Sequence, residues 1–271
     1  MSLRSQLGAA LEDIIQPLSP ARRLRFQLTT EALEHSCGGR RLSVLDAGCG
    51  DGLLSERLAK RHPDWRIVGV DLRQELLEQA RARTAGRGLA NVEFVHGDLT
   101  GDLGDGLYDA VLAIECLEEI VDDERALAMM ARALRPGGLF IAHVPEREWT
   151  PVLRGSDWTW RDQVRQGYVA REFADQLARA GFAVMEIGGT CHSIVRLGHE
   201  LRDRVKNAPV WLRALFFPLM LVAVALERHG VTLGRERALL AVARRADEAA
   251  GVRAGELSWT VTKWSRHSGS L

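Results

Sequence analysis

This sequence predicts a doubly wound α/β fold on a mostly parallel sheet, and two observations predict it. From Leu42 onward, short β-rich runs alternate with helical stretches, as they do where parallel strands are joined by crossover helices. The first run passes into VLDAGCGDG (44–52), an apolar strand that stops at an acid and breaks into glycines spaced G-x-G-x-G. In order, the strands are LSVLDA (42–47), RIVGVD (66–71), VEFVHG (92–97), DAVLAI (109–114), LFIAHV (139–144), FAVMEI (182–187) and ALLAVA (238–243). Helices are expected at Leu53–Arg61, Gln74–Thr84 and Asp123–Leu134, the last stopped by RPGG, and again over REFADQLARAGF (171–182).

Composition sets the limits of function. A chain of 271 residues with near-average apolar and charged content makes one ordinary globular domain with embellishments. Its 36 Lys and Arg balance 36 Asp and Glu, and no local basic face stands out, so a nucleic-acid partner is not expected. Cys37, Cys49, Cys116 and Cys191 form no C-x-x-C pair, which argues against a zinc site or a disulfide framework and fits a reducing cytoplasm. The opening MSLRSQLGAALEDII lacks the apolar core of a secretory signal; Leu3, Leu7, Leu11, Ile14 and Ile15 share one face of an amphipathic helix.

The expected divisions are an N-terminal helical cap (1–40), a core (41–190), an apolar helical insertion (191–236), the last core strand (237–245) and a loosely held tail (246–271). The insertion follows from length, because the stretch between the sixth and seventh strands is too long for a plain connection. Within it Ala214 to Leu226 is unbroken and apolar, with Arg213 before it and Pro218 inside it, and is short for a membrane span. Three readings stay open for it: a buried lid, a peripheral membrane contact through 210–228, or a homodimer contact.

A strand ending in glycines and opening a helix turns free backbone N–H groups toward a ligand, and an acid about 20 residues on can hold ribose hydroxyls. Asp71 has that spacing. The third glycine comes one residue too early for the dinucleotide fingerprint. Asp46, just before the turn, would repel a pyrophosphate but would give an ammonium group a charge-assisted hydrogen bond. S-adenosylmethionine combines adenosine with a cationic amino-acid end. Further blocks follow in order: HGDL (96–99), YDAVLAIECLEEI (108–120) and LRPGGLFIAHVP (134–145).

These four blocks together resemble the class I S-adenosylmethionine-dependent methyltransferases, over roughly residues 20 to 190. The resemblance implies a Rossmann-like sheet of seven strands, with the last, Ala238 to Ala243, running antiparallel between the fifth and sixth. It implies Asp46, Gly48, Cys49 and Gly50 at the methionine end, Asp71 at the ribose and Asp98 at the adenine amine. Leu72, Gly97 and Leu99 would flank the ring, and Ile114 would end the fourth strand near the reactive methyl. A plainer reading stands beside this one: Gly52 permits close helix packing, Cys49 is a small packing residue, and Leu72 and Leu99 belong to the core.

Methyl transfer from a sulfonium mainly requires alignment and exclusion of water, with a base only where the nucleophile must lose a proton. His143 is the best-placed histidine for that task, His192 is second, and Glu115 is a third candidate; against each histidine stands a structural role. In some related small-molecule and RNA-end enzymes an E-x-x-E-H run with a later His binds a divalent metal or serves the acceptor. Here ECLEE (115–119) puts Glu119 in the place of that His, so no metal is expected, and Glu118 and Glu119 otherwise read as a solvated helix start. Trp149, Trp158, Trp160 and Tyr168 either stack on a small-molecule acceptor or pack the insertion against the sheet. The expected activity is methylation, on oxygen, of a small, largely apolar natural product, quinone or lipid-like metabolite. The alternative is a cofactor-binding protein of the same fold that catalyses a rearrangement or senses the cofactor. A dinucleotide-dependent oxidoreductase is disfavoured by Asp46 and the glycine spacing.

Overall fold

A computed structural model describes residues 20–147, 164–191, 238–247 and 261–263, with scattered helical positions between 195 and 227. In chain order it contains α1 (Pro20–Cys37), β1 (Ser43–Ala47), α2 (Leu53–Arg61), β2 (Arg66–Asp71), α3 (Gln74–Gly86), β3 (Val92–His96) and β4 (Tyr108–Ile114). A 3₁₀ turn (Leu117–Glu119) leads to α4 (Asp123–Ala133), β5 (Leu134–Pro145), α5 (Ala170–Arg179), β6 (Phe182–Thr190), β7 (Ala238–Arg245) and β8 (Val261–Lys263). The strands form one sheet in the order β3-β2-β1-β4-β5-β7-β6-β8. β1 to β5 are parallel, and β7 runs antiparallel between β5 and β6 as expected.

Alternation along each strand builds two core layers. In β1, Leu45 and Ala47 face the layer that holds Leu127 and Met130 of α4 and Phe173 of α5, while Val44 faces Leu24 and Leu33 of α1 and Leu54 and Leu58 of α2. Helices therefore cover both faces, which is why the central strands read as near-continuous apolar runs. After β3 the chain returns to the other side of β1, so β1 and β4 are neighbours whose connections leave in opposite directions. At such a switch point the carboxyl ends of the two strands bound a crevice.

Two expectations need correction. RPGG does not separate the helix from its strand: α4 ends at Ala133, and β5 starts at Leu134 opposite Tyr108, with a register shift before Ala110 pairs with Leu139. The tail expected to be loosely held also supplies an eighth strand, Val261–Lys263, parallel to β6 at the sheet edge. Among the described residues no helix is long and apolar enough to cross a membrane. The N-terminal amphipathic helix, Trp149, Trp158, Trp160, His192 and most of 214–226 lie outside the described residues.

Gly52 bears out its packing role. Its φ is +68°, and a Cβ there would lie 2.5 Å from the Phe94 ring and 2.9 Å from Ala80 of α3. Gly52→Ala should lower stability by about 3 kcal/mol through strain and overpacking, read as a fall in the urea midpoint at unchanged m-value.

Candidate functional site

The pleat that turns Val44 toward α2 also turns Asp46 that way, where it is 2% exposed and accepts a 2.5 Å hydrogen bond from Ser55 Oγ. Burial pushes its carboxyl up to about 6; the Ser55 bonds oppose the rise, and Asp71 and Asp51 add to it. The chain then turns through Gly48 and Gly50, both at positive φ. Gly48 and Cys49 donate their N–H groups to Val70 O of β2, at 2.8 and 3.0 Å. A Cβ on Gly48 would collide with Cys116 at the end of β4, so only glycine lets the loop lie against that strand. Cys49 is buried beside Leu77, Ala80 and Phe94, as a packing residue would be.

Asp71 at the end of β2 is 5% exposed. Its Oδ2 accepts from Gly50 N at 2.7 Å, and Oδ1 accepts from Arg73 N and Nε at 2.9 and 3.1 Å. Burial alone would raise its pKa, but these donors outweigh burial and hold it below the ordinary carboxylate value. Asp71 therefore braces the glycine loop. Beyond it Leu72 is 60% exposed, whereas Leu99 is core. Gly97 N donates to Asp71 O at 3.2 Å, and the exposed Asp98 accepts from Thr100 N and Oγ1, each at 2.8 Å.

Across the crevice β4 ends in half-buried Ile114, then Glu115 at φ +55°. Glu115 N donates to His143 O at 2.8 Å, and its carboxylate is held on both oxygens, by His143 Nδ1 at 2.8 Å and by Arg25 of α1 at 2.6 Å. A non-glycine residue held in that conformation by several partners is what strain at a functional position looks like. His143 is fully buried, and its Nε2 lies 2.9 Å from Thr190 Oγ1. Burial lowers its pKa against the pull of Glu115, so the ring is neutral. Since a carboxylate only accepts, Nδ1 carries the hydrogen and Nε2 accepts from Thr190.

This geometry corrects three readings. His143 is not offered to an acceptor, because both ring nitrogens are engaged and its surface is closed; Glu115 is the group that it orients. Glu118 is not solvated: it is 1% exposed, its Oε2 has no hydrogen-bond partner among the described residues, and burial and Glu115 raise its pKa well above the ordinary value. Tyr168 is also buried and donates to Asp123 Oδ2 at 2.7 Å, so it packs rather than stacking on an acceptor. Among the described residues no group of three or more His, Cys, Asp and Glu is arranged to hold a metal ion. Arg25 and Thr190 carried no signal in the sequence beyond their type, since their partners lie 90 and 47 residues away.

The sequence model of the family described as "Methyltransferase domain" matches residues 44–138. A Mycolicibacterium smegmatis protein named a probable S-adenosylmethionine-dependent methyltransferase is 30% identical over 62% of this chain and 62% of its own length. A ubiquinone biosynthesis O-methyltransferase of Pectobacterium atrosepticum is 32% identical over 55% of this chain and 61% of its own. The crystal structure of the [4+2]-cyclase SpnF superimposes with a TM-score of 0.59 at 23% identity, over 81% of each chain, a likeness of fold. The chain spans 44% and 62% of the lengths of the first two curated relatives it matches.

The raised Asp46 pKa has a consequence for stability. The folded state keeps this proton where the unfolded chain has lost it, so the contribution is full below 3.8 and lost as pH rises through about 6. Asp46→Asn should flatten that part of the pH dependence of urea unfolding; a fall as steep as in the unmodified protein would contradict it.

Proposed function

We propose that this chain, whose residues 44–138 match the methyltransferase-domain family model, is a class I S-adenosylmethionine-dependent methyltransferase that methylates a hydroxyl oxygen of a small, largely apolar acceptor. The observation that carries the reading is the convergence at one switch point of the Asp46–glycine turn, Asp71 and Glu115. The residues present fit the cofactor. Asp46 is a buried carboxyl with no cation beside it among the described residues, and an ammonium group would restore its charged form. Asp71 is an anion whose Arg73 partner is half exposed and can move aside for ribose hydroxyls. Leu72 offers an exposed apolar surface for adenine, and Asp98 lies beyond it.

The bound cofactor supplies a methyl group on a sulfonium, already activated for in-line displacement. What remains for the protein is to align the acceptor and take its proton. Glu115 is the proton-accepting group, and His143 positions it. The oxygen reading draws support from the ubiquinone O-methyltransferase relative, and the apolar stretch 214–226 supports an apolar acceptor or a peripheral membrane contact. Because a cyclase shares the fold, product analysis with a labelled methyl donor is the decisive test. Label carried into the acceptor supports methylation. A rearranged acceptor without label would favour the non-methylating alternative.

Asp71→Ala should weaken S-adenosylhomocysteine binding more than tenfold, on the order of what a charged hydrogen-bond partner contributes; unaltered affinity by calorimetry would sink the cofactor assignment. In the unmodified protein, affinity should fall as pH drops through about 6 and Asp46 takes up its proton.

A further inference from the structure

Asp71 is asked to take two ribose hydroxyls, yet both of its oxygens are filled by the chain itself. Resting on the proposed function, we infer that the Arg73 guanidinium is a latch on the cofactor site: it holds the two lone pairs of Asp71 that the ribose needs, so binding displaces it and its removal tightens binding.

An ionised carboxylate offers about four lone-pair positions, about two on each oxygen. Oδ1 of Asp71 accepts from Arg73 N at 2.9 Å and from Arg73 Nε at 3.1 Å. Oδ2 accepts from Gly50 N at 2.7 Å and, at a longer 3.4 Å, from Arg73 Nη2. On each oxygen, therefore, one donor is main chain and the other is guanidinium. The main-chain donors are built into the fold, because Gly50 belongs to the glycine turn and Arg73 N to the cap of α3. The guanidinium donors rest on a side chain that is 54% exposed. Turning it away frees one lone pair on each oxygen, side by side, for the neighbouring hydroxyls of a ribose.

The guanidinium also takes up space that the cofactor reading uses. A Cβ placed on Gly50 would meet Arg73 Nη2 at 3.5 Å, so the group lies against the glycine turn as well as against Asp71. Exchange of hydrogen bonds is nearly balanced, since two N–H donors leave the carboxylate and two O–H donors arrive. What the hydroxyls do not replace is the attraction between opposite charges. With one partner half exposed, that attraction lowers affinity by about fivefold. A ligand that binds only the released form loses apparent affinity in proportion to the fraction of molecules in which the latch is closed.

The test titrates two ligands by calorimetry into the full chain and into Arg73→Ala. One is S-adenosylhomocysteine; the other is methylthioadenosine, which keeps adenine and ribose but lacks the charged amino-acid end. Arg73→Ala should bind both about fivefold more tightly. Raising NaCl from about 50 to about 500 mM screens the ion pair, so the unmodified protein should bind the uncharged methylthioadenosine about twofold more tightly, while Arg73→Ala should not respond. A third readout needs no variant fold: in ¹⁵N-arginine NMR of the unmodified protein, the Nε–H bonded to Asp71 should exchange with water faster once S-adenosylhomocysteine is added. Equal or weaker binding of both ligands by Arg73→Ala overturns the latch. So does a gain for S-adenosylhomocysteine alone, which would be the lost charge acting on the ammonium group from a distance, or an Nε–H unchanged at saturation. If neither protein binds S-adenosylhomocysteine, the proposed function falls and the latch with it.

Discussion

The reversal of strand order between β1 and β4 is the constraint on which the site depends. Parallel strands need crossover connections, and where successive crossovers leave in opposite directions no crossover helix covers the carboxyl ends between them. The glycine turn and Glu115 occupy the exits of those two strands. Their separation in sequence is irrelevant to their meeting, since Ala47 and Ala113 are register partners in the sheet.

Around that opening the same chemical group is put to three uses by its surroundings. Asp46 is buried against one hydroxyl and is pushed up; Asp71, nearly as buried, is surrounded by N–H donors and held down; Glu118 is buried beside Glu115 with one oxygen unmatched among the described residues and is also raised. Desolvation acts on all three in the same direction, so the donors and the neighbouring charges decide the difference. A site polarised in this way favours a cation near Asp46 and hydroxyl donors near Asp71.

Helix α1 contributes more than cover. Arg22 and Arg25 join it to the glycine turn and to Glu115, with side chains 20–30% exposed. Ion pairs this accessible are partly screened by solvent and contribute little to stability, so their value lies in orientation. The helix links the two ends of the crevice through one rigid face.

The order of strands through β7 and of the helices between them was readable in the sequence, because the apolar runs and the glycine turns are local signals. Leu53–Arg61 matches the observed helix at both ends, and the glycine turn after Asp46, with Asp71 about 20 residues on, stood out by position. It also singled out Glu115 and His143 without telling which of them is enclosed. Only the tertiary structure decided that His143 is enclosed by Glu115 and Thr190, that Glu118 is buried rather than solvated, and that Arg25 reaches Glu115 across 90 residues. Periodicity and turn chemistry act between neighbours along the chain, and so can be read from it. Burial, hydrogen-bond saturation and charge pairing depend on which distant segments pack together, and they are fixed only when the sheet closes its order.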